Sequence, residues 1–329
     1  MKALVVTGPG AISLTEVPAP TRTTGSALVA PRAVGVCGTD LEIIDGRIDP
    51  DYVRLPLILG HEWAGVVVEA DDLDEGERVV VEGIVPCGLC AACGAGDTNV
   101  CEVYDEFGFV RDGAAAELIV VPTSLVHRLN PSVSDESAAL IEPAAVVLRA
   151  LMRAAPTPGQ RVLVIGDGSV GLIAAALIRL WSPASVTLAG LRAEQAGLTE
   201  AAGVDHFLTA PSEETYDLVI KAAGAPAAVN TALSSAKRGA TVVLLGLAGA
   251  DATLPVAFDE LVNADLTVIA SFSYTRTAWR RVVDLMNSGR LDLGFLVTHQ
   301  FPLEQWKQAI DVLRNGDGSP RGKVLLRPS

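Results

Sequence analysis

The apolar positions of the chain follow two regimes that change near Gly159. In the first half they come as short runs broken by Gly and Pro: Ala3–Val6, Ala27–Ala30, Gly65–Glu69, Arg78–Val81 and Ala116–Val121. Short strands punctuated by turn residues predict a small barrel or twisted-sheet domain. From Gly159 apolar runs at Ser185–Ala189, Gly203–Leu208, Asp217–Ala222, Ala240–Leu245 and Leu266–Phe272 alternate with helix-like stretches such as Ala193–Ala202 and Ala227–Lys237. Alternating strands and helices predict a doubly wound parallel sheet, with its ligand at the carboxyl ends of the strands.

That alternation opens on Arg161–Leu180, RVLVIGDGSVGLIAAALIRL. Val162–Ile165 lacks apolar/polar alternation, as expected of a strand buried on both faces. The turn Gly166-Asp167-Gly168-Ser169-Val170-Gly171 fits G-x-G-x-x-G and runs into the apolar segment Val170–Leu180, long enough for a helix. In such a turn Gly166 allows the tight bend, Gly168 lets a pyrophosphate approach the backbone, and Gly171 lets helix pack on strand. Ser169 and Val170 lie at the helix N-terminus, whose free N–H groups suit phosphate. A glycine-rich turn without a ligand is the plainer alternative. Strand-ending turns at Ala223-Gly224, Gly246-Leu247 and Phe272 would line the same cleft or be plain turns.

Beyond about Ser273 the chain is expected to rejoin the first domain, with amphipathic helices at Thr277–Ser288 and Leu303–Arg314 and a closing strand in GKVLLRP. The expected division is therefore 1–155 with 273–329, against 156–272. Lys323, in that strand, is expected on the surface.

Length and charge narrow the classes. The 329 residues, half of them hydrophobic and with a net charge of −14, suit two compact domains. Scattered acidic charge disfavours nucleic acid and anionic membrane as partners. The opening MKALVVTGPG is too short in apolar residues for a signal peptide, and the longest apolar run, Val170–Ile178, is far short of a membrane span. The five cysteines are spaced for metal rather than for disulfides, which points to a reducing, cytoplasmic compartment.

Four of these cysteines form Cys87-x2-Cys90-x2-Cys93-x7-Cys101. Four thiolates on a glycine-relaxed loop can close a tetrahedral site, which makes a structural zinc the expected occupant, with disulfides as the alternative. The fifth, Cys37 in GVCGTD, and the pair His61-Glu62 in LGHEWAG are zinc-ligand types that can leave a position open for water or substrate. Spacing alone does not favour that assignment over an unrelated cysteine and histidine.

The ordered set GVCGTD, GHEWAG, C-x2-C-x2-C-x7-C, IEPAAV and GDGSVG resembles the zinc-dependent medium-chain dehydrogenase/reductase superfamily over nearly the whole chain. It is most similar to the polyol, threonine and aldose (glucose) dehydrogenase branch. The resemblance implies an α/β protein, with a β-rich GroES-like catalytic domain and a Rossmann nucleotide-binding domain. It also implies two zinc ions per chain, the catalytic one on Cys37, His61 and Glu62, with Glu142 as a further carboxylate binding directly or through water. Thr39 would pass on the substrate proton and Asp40 would orient the His61 imidazole. Glu42 is either a solvated acid or a group for proton exit or sugar binding, and Glu106 is a candidate for a substrate hydroxyl. His127, His206 and His299 fall outside the zinc motifs.

The implied reaction moves a hydride between a secondary alcohol and a nicotinamide, with polyols or sugars favoured over simple alcohols or a hydroxy-amino acid. A zinc-free reductase of the same superfamily and a non-catalytic zinc protein fit the motifs less well. Relatives associate through the edges of their nucleotide-domain sheets, so a homodimer or homotetramer is implied, with Leu266–Phe272 as the candidate edge. Two departures stand out. The stretch between Phe207 and Tyr216 is short for the family, so a reduced or missing helix is expected there. The second strand of the nucleotide domain ends TLAGLRAEQ, with Gly190 at the place of the usual acid and Arg192 two residues on. An absent carboxylate and a nearby guanidinium together favour NADP over NAD, with use of both open.

Overall fold

The computed structural model describes residues 1–329 except 211, 248, 250, 251 and 329. The chain divides into two compact units: 1–142 with 275–317 and 323–329, and 143–274 with 318–322.

In the first unit a mixed sheet runs in the order Val297–Pro302, Lys323–Arg327, Ser26–Val36, Glu62–Glu69, Arg78–Val81, Val126–Arg128, and Ile119–Pro122 pairs along Ser26–Val36. A three-stranded sheet of Ala11–Glu16, Lys2–Gly8 and Leu57–Ile58 completes it. Alternating inward residues such as Val29, Val34, Trp63, Val67, Val79 and Val81 build one continuous apolar core. Burying each such side chain contributes roughly 1.5–3 kcal/mol, enough in aggregate to fix the register of a twisted sheet. The helix Arg276–Asn287 starts at Thr275, whose hydroxyl accepts from Ala278 N–H, and buries Trp279, Val282, Val283 and Met286.

The second unit is a six-stranded parallel sheet in the order His206–Leu208, Ser185–Ala189, Arg161–Ile165, Tyr216–Lys221, Ala236–Leu244, Thr267–Ala270. Val162 lies opposite both Val186 and Leu218 and all three are buried, which explains the missing polar alternation in this strand. The order of connection reverses between Arg161–Ile165 and Tyr216–Lys221, and in such sheets the carboxyl ends of the strands at that reversal are where ligands bind.

Two expectations about extent change. The second unit begins at Pro143 rather than at 156, because the helix Ile141–Ala154 is tied to it. Arg149 donates to Ser271 Oγ at 3.0 Å, and Arg153 donates to the Ala270 carbonyl. The segment 318–322 also belongs to this unit, where Ser169 Oγ donates to the Gly322 carbonyl at 2.7 Å. Between Leu208 and Tyr216 no helix is present among the described residues. No helix among the described residues is long and apolar enough to cross a membrane.

Candidate functional site

The first cluster is made by strand register. Gly35 pairs with Glu62, and Val324 pairs with Val36, so the ends of three neighbouring strands bring Cys37, Glu62 and Lys323 together. Cys37 caps the helix Gly38–Ile44, its N–H donating to Asp40 Oδ2 at 2.8 Å. The other Asp40 oxygen lies 3.4 Å from His61 Nδ1, which leaves Nε2 on the side of Glu62, 3.8 Å from Oε1. Gly60 has φ +101°, and a side chain there would meet the Ala115 amide, so only glycine lets the chain deliver His61 at this point. Cys37, His61 and Glu62 each offer a donor atom, all within 4.8 Å of one another.

The electrostatics match a cation site. Burial opposes charge on His61, yet the Asp40 carboxylate and Cys37 hold its pKa well above the ordinary value. Burial and the Glu62 charge push Glu142, in the first turn of Ile141–Ala154, up to about 8. Glu142 is not within the convergent trio but shares its field. Carboxylates this buried need a cation or donors nearby. Here Lys323 corrects an expectation: it is only 3% exposed, and its ammonium pairs with Glu62 Oε2. A side chain at position 35 would run into both the Glu62 carboxylate and the Lys323 stem, so Gly35 makes room for the pair. A soft thiolate, an imidazole and a carboxylate converging in a buried, carboxylate-rich pocket fit zinc.

Around this trio Thr39 Oγ1 lies 3.7 Å from Cys37 Sγ. Glu106 is buried, accepts from Tyr104 Oη at 2.7 Å, and burial holds its carboxyl above the ordinary range. Phe109 tilts against His61 with ring centroids 5.0 Å apart, and Tyr52 meets Tyr104 edge-on at 5.0 Å. Glu42 is half-buried on the helix Gly38–Ile44 and makes no side-chain hydrogen bond or ion pair among the described residues. Of the remaining histidines, His127 contacts the buried Glu82 at 2.7 Å, His299 meets Asp317 at 3.2 Å, and His206 opens a strand.

The second cluster holds Cys87, Cys90, Cys93 and Cys101, with sulfurs all within 4.8 Å of one another. All four are free thiols. The Cys93 amide donates to Cys90 Sγ at 3.4 Å and the Cys87 amide to Cys101 Sγ at 3.4 Å. Backbone N–H groups of Glu102 and Cys93 pull the Cys90 thiol down to about 6. Burial pushes the Cys93 thiol the other way, up to about 12, and it is the convergence of the four sulfurs on one point that fits a closed zinc site.

In the second unit the glycine turn is built as its motif requires. Gly166 has φ +118°, and a side chain there would meet the Ala223 amide at 2.7 Å. A side chain at 171 would run into the Gly166 carbonyl, and Gly168 faces open space at the start of the helix Ser169–Ile178, with Val170 half-buried in its first turn. Ala223 N–H donates to the Ile165 carbonyl at 2.9 Å, and a side chain at 246 would meet the carbonyls of Ala222 and Ala223, so the two turns pack closely. Leu247 is 67% exposed and Phe272 is exposed, with its carbonyl accepting from Arg149 at 3.3 Å. This open backbone beside a helix N-terminus fits a dinucleotide pyrophosphate.

Arg192 is not free. Its Nη2 lies 2.8 Å from Asp167 Oδ1 and its Nε 3.1 Å from the same oxygen. The carboxylate that sequence reasoning finds missing at 190 is supplied instead from position 167. A side chain on residue 190 would meet the Asp167 carboxyl within 2.8 Å. Neither Asp167 nor the burial of Lys323 carries a signal in the sequence, since both depend on contacts between distant segments.

Residues 23–131 match the family described as "Alcohol dehydrogenase GroES-like domain", and residues 169–288 match "Zinc-binding dehydrogenase". The chain is 31% identical to an erythritol/L-threitol dehydrogenase of Mycolicibacterium smegmatis, covering 100% of this chain and 98% of the relative. It is 30% identical to a sorbitol dehydrogenase of Bacillus subtilis over 94% of this chain and 93% of the relative. Its structure is similar to that of a zinc-binding dehydrogenase from Sinorhizobium meliloti bound to NADP, with TM-score 0.91, 28% identity and 99% of each chain covered.

Proposed function

We propose, for a chain that belongs to the zinc-dependent medium-chain dehydrogenase/reductase superfamily in its polyol and threonine dehydrogenase branch, the reversible oxidation of a secondary alcohol in a polyol or sugar. The observation that carries this reading is the convergence of Cys37, His61 and Glu62 in a buried pocket with Glu106 nearby in charge. A zinc ion bound there supplies Lewis acidity that makes the alcohol hydroxyl easier to deprotonate. The chain's own residues do the rest. Asp40 fixes the His61 ring, Lys323 holds the Glu62 carboxylate, and Glu142 supplies a further carboxylate to the pocket. Thr39 Oγ1 takes the departing alcohol proton and hands it outward. Glu106, held by Tyr104, accepts a hydrogen bond from a second hydroxyl of the substrate, a contact that a polyol or sugar offers and a simple alcohol lacks.

The hydride acceptor is a nicotinamide dinucleotide on the turn Gly166–Gly171, which fits the pyrophosphate that NAD and NADP share. We favour NADP because residue 190 carries no acid of its own and Arg192 keeps its Nη1 donors uncommitted among the described residues. Two zinc ions per chain are proposed, the second on Cys87, Cys90, Cys93 and Cys101. The unbridged thiols support a reducing compartment, the cytoplasm. A homodimer or homotetramer is supported by the edge strand Thr267–Ala270, where Val268 is exposed, and by exposed Phe258 and Val262 on the preceding helix.

Purified protein assayed with polyols, aldoses and simple alcohols, each with NAD and NADP, tests the reading. Turnover of a polyol or sugar, two zinc ions per chain by metal analysis and a mass of two or four chains by light scattering are expected. No nicotinamide-linked oxidation of any alcohol in the panel overturns it.

A further inference from the structure

The five-residue stretch Gly166–Val170 and the loop after Ser185–Ala189 are locked to each other by one side chain. Asp167 Oδ2 accepts the backbone N–H of Leu191 and of Arg192, both at 2.9 Å. Its Oδ1 accepts Arg192 Nε at 3.1 Å and Nη2 at 2.8 Å, and Nη2 also donates to the Asp167 carbonyl at 2.9 Å. The buried Gln195 completes the lock, its amide donating to the Asp167 carbonyl at 2.7 Å and to the Arg321 carbonyl at 2.8 Å. With four donors on two oxygens the carboxylate has no acceptor capacity left for a ribose hydroxyl. The guanidinium in turn has committed three of its five N–H groups and keeps only those on Nη1.

Position explains why this matters. In dinucleotide-binding sheets the residue ending the second strand meets the adenosine ribose, and its charge decides whether a 2′-phosphate is tolerated. That residue here is Gly190, and the space its side chain would fill is taken by the Asp167 carboxyl. We propose that Asp167, a residue inside the glycine turn, is a specificity-determining residue: by holding Arg192 it restrains the preference for a 2′-phosphorylated coenzyme, so that the unphosphorylated form is also accepted. This rests on the dinucleotide reading of the turn. A 2′-phosphate arriving at the loop finds a negative charge beside it and a guanidinium whose Nε edge is already bonded, so it cannot form the bidentate pair that a free arginine offers. A coenzyme with an ordinary ribose gains nothing from Arg192 and loses nothing to Asp167. The Asp167 carboxyl is kept below the ordinary carboxylate range, since burial is outweighed by the Arg192 guanidinium and by the Leu191 and Arg192 amides, so the restraining charge is present at neutral pH.

The test uses two fragments, adenosine 2′,5′-bisphosphate and 5′-AMP, titrated calorimetrically into the zinc-loaded protein at fixed ionic strength. Asp167→Asn keeps an acceptor for the loop amides while removing the charge and the bidentate hold. It should tighten the bisphosphate by about tenfold, the worth of one charge-assisted hydrogen bond, and leave 5′-AMP within about threefold. In an Arg192→Ala background the same change should have no such selective effect, which makes the coupling between the two residues the quantity measured. The NADP-to-NAD ratio of kcat/KM should rise in parallel in the Asp167→Asn single variant. Equal changes for both fragments, a weaker hold on the bisphosphate, or the same selectivity gain without Arg192 overturns the assignment and leaves Asp167 a loop fastener. If the wild-type protein binds neither fragment, the dinucleotide reading itself falls, and the specificity role with it.

Discussion

The two cysteine-bearing clusters of the first unit are assembled by opposite means. Cys87, Cys90, Cys93 and Cys101 come from one loop, are half-buried, and are steered by N–H···S bonds within that loop. Cys37 and the consecutive pair His61-Glu62 come from the ends of two different strands, and their pocket is lined by buried Asp40, Glu142 and Lys323. A local site needs only a bendable chain. A long-range site needs a register, and it must compensate each charge it buries. The first arrangement suits a fixed support, the second a centre whose reactivity is tuned by what surrounds it.

The largest effect should come from breaking the long-range site. His61→Ala is expected to lower kcat/KM for the best polyol by about a thousandfold or more, since Lewis-acid stabilisation is worth several kcal/mol. Metal analysis should show one zinc per chain remaining. A variant with near-normal turnover would remove the catalytic assignment of this cluster.

Next comes the ion that compensates the buried acid. Lys323→Met leaves the Glu62 carboxylate without its ammonium, and removing one partner of a buried pair costs about 3–5 kcal/mol. Guanidinium unfolding of metal-stripped protein should show that loss, and added zinc should recover part of it, because a bound cation also compensates Glu62. An equal loss with and without zinc would mean that Lys323 only packs.

The difference between the clusters also sets what could be read from the chain. The loop cysteines are legible because the spacing is the site. The glycine turn is legible for the same reason, and the parallel sheet follows from alternating apolar runs, of which Ser185–Ala189 has the bounds of its strand. Cys37, His61 and Glu62 become a set only through a resemblance, since nothing in their spacing states that Gly35 pairs with Glu62. Lys323 reads as a surface lysine until the register of the closing strand, with Val324 opposite Val36, turns it inward. Asp167 reads as filler between two glycines until the loop at 190 folds over it. In each case the missing information is which strand end lies beside which, a property of the sheet rather than of any one segment.

Breaking the local site should have a smaller, more confined effect. Cys93→Ala is expected to lose the second zinc and to speed proteolytic cleavage within residues 87–101 by about tenfold, as a loop without its metal opens more often. Cleavage elsewhere in the chain should keep its rate. General acceleration across the first unit would mean that the lobe supports the whole fold, and that the two clusters are less independent than their construction suggests.

The smallest effect probes how the long-range pocket recognises a substrate. Glu106 is buried, holds the Tyr104 hydroxyl, and has its carboxyl raised by burial. Glu106→Gln keeps the shape and one acceptor oxygen but removes the charge, so a hydroxyl bonded there loses a charge-assisted contact for a neutral one. That difference is about 1 kcal/mol, which corresponds to a rise of about fivefold in KM for a polyol. The kcat should change by less than about threefold, because the contact is made equally in ground and transition states. A monohydric secondary alcohol has no second hydroxyl to offer, so its KM should stay the same. If both substrates respond alike, Glu106 shapes the pocket through Tyr104 without touching substrate, and the preference for polyols must come from another group.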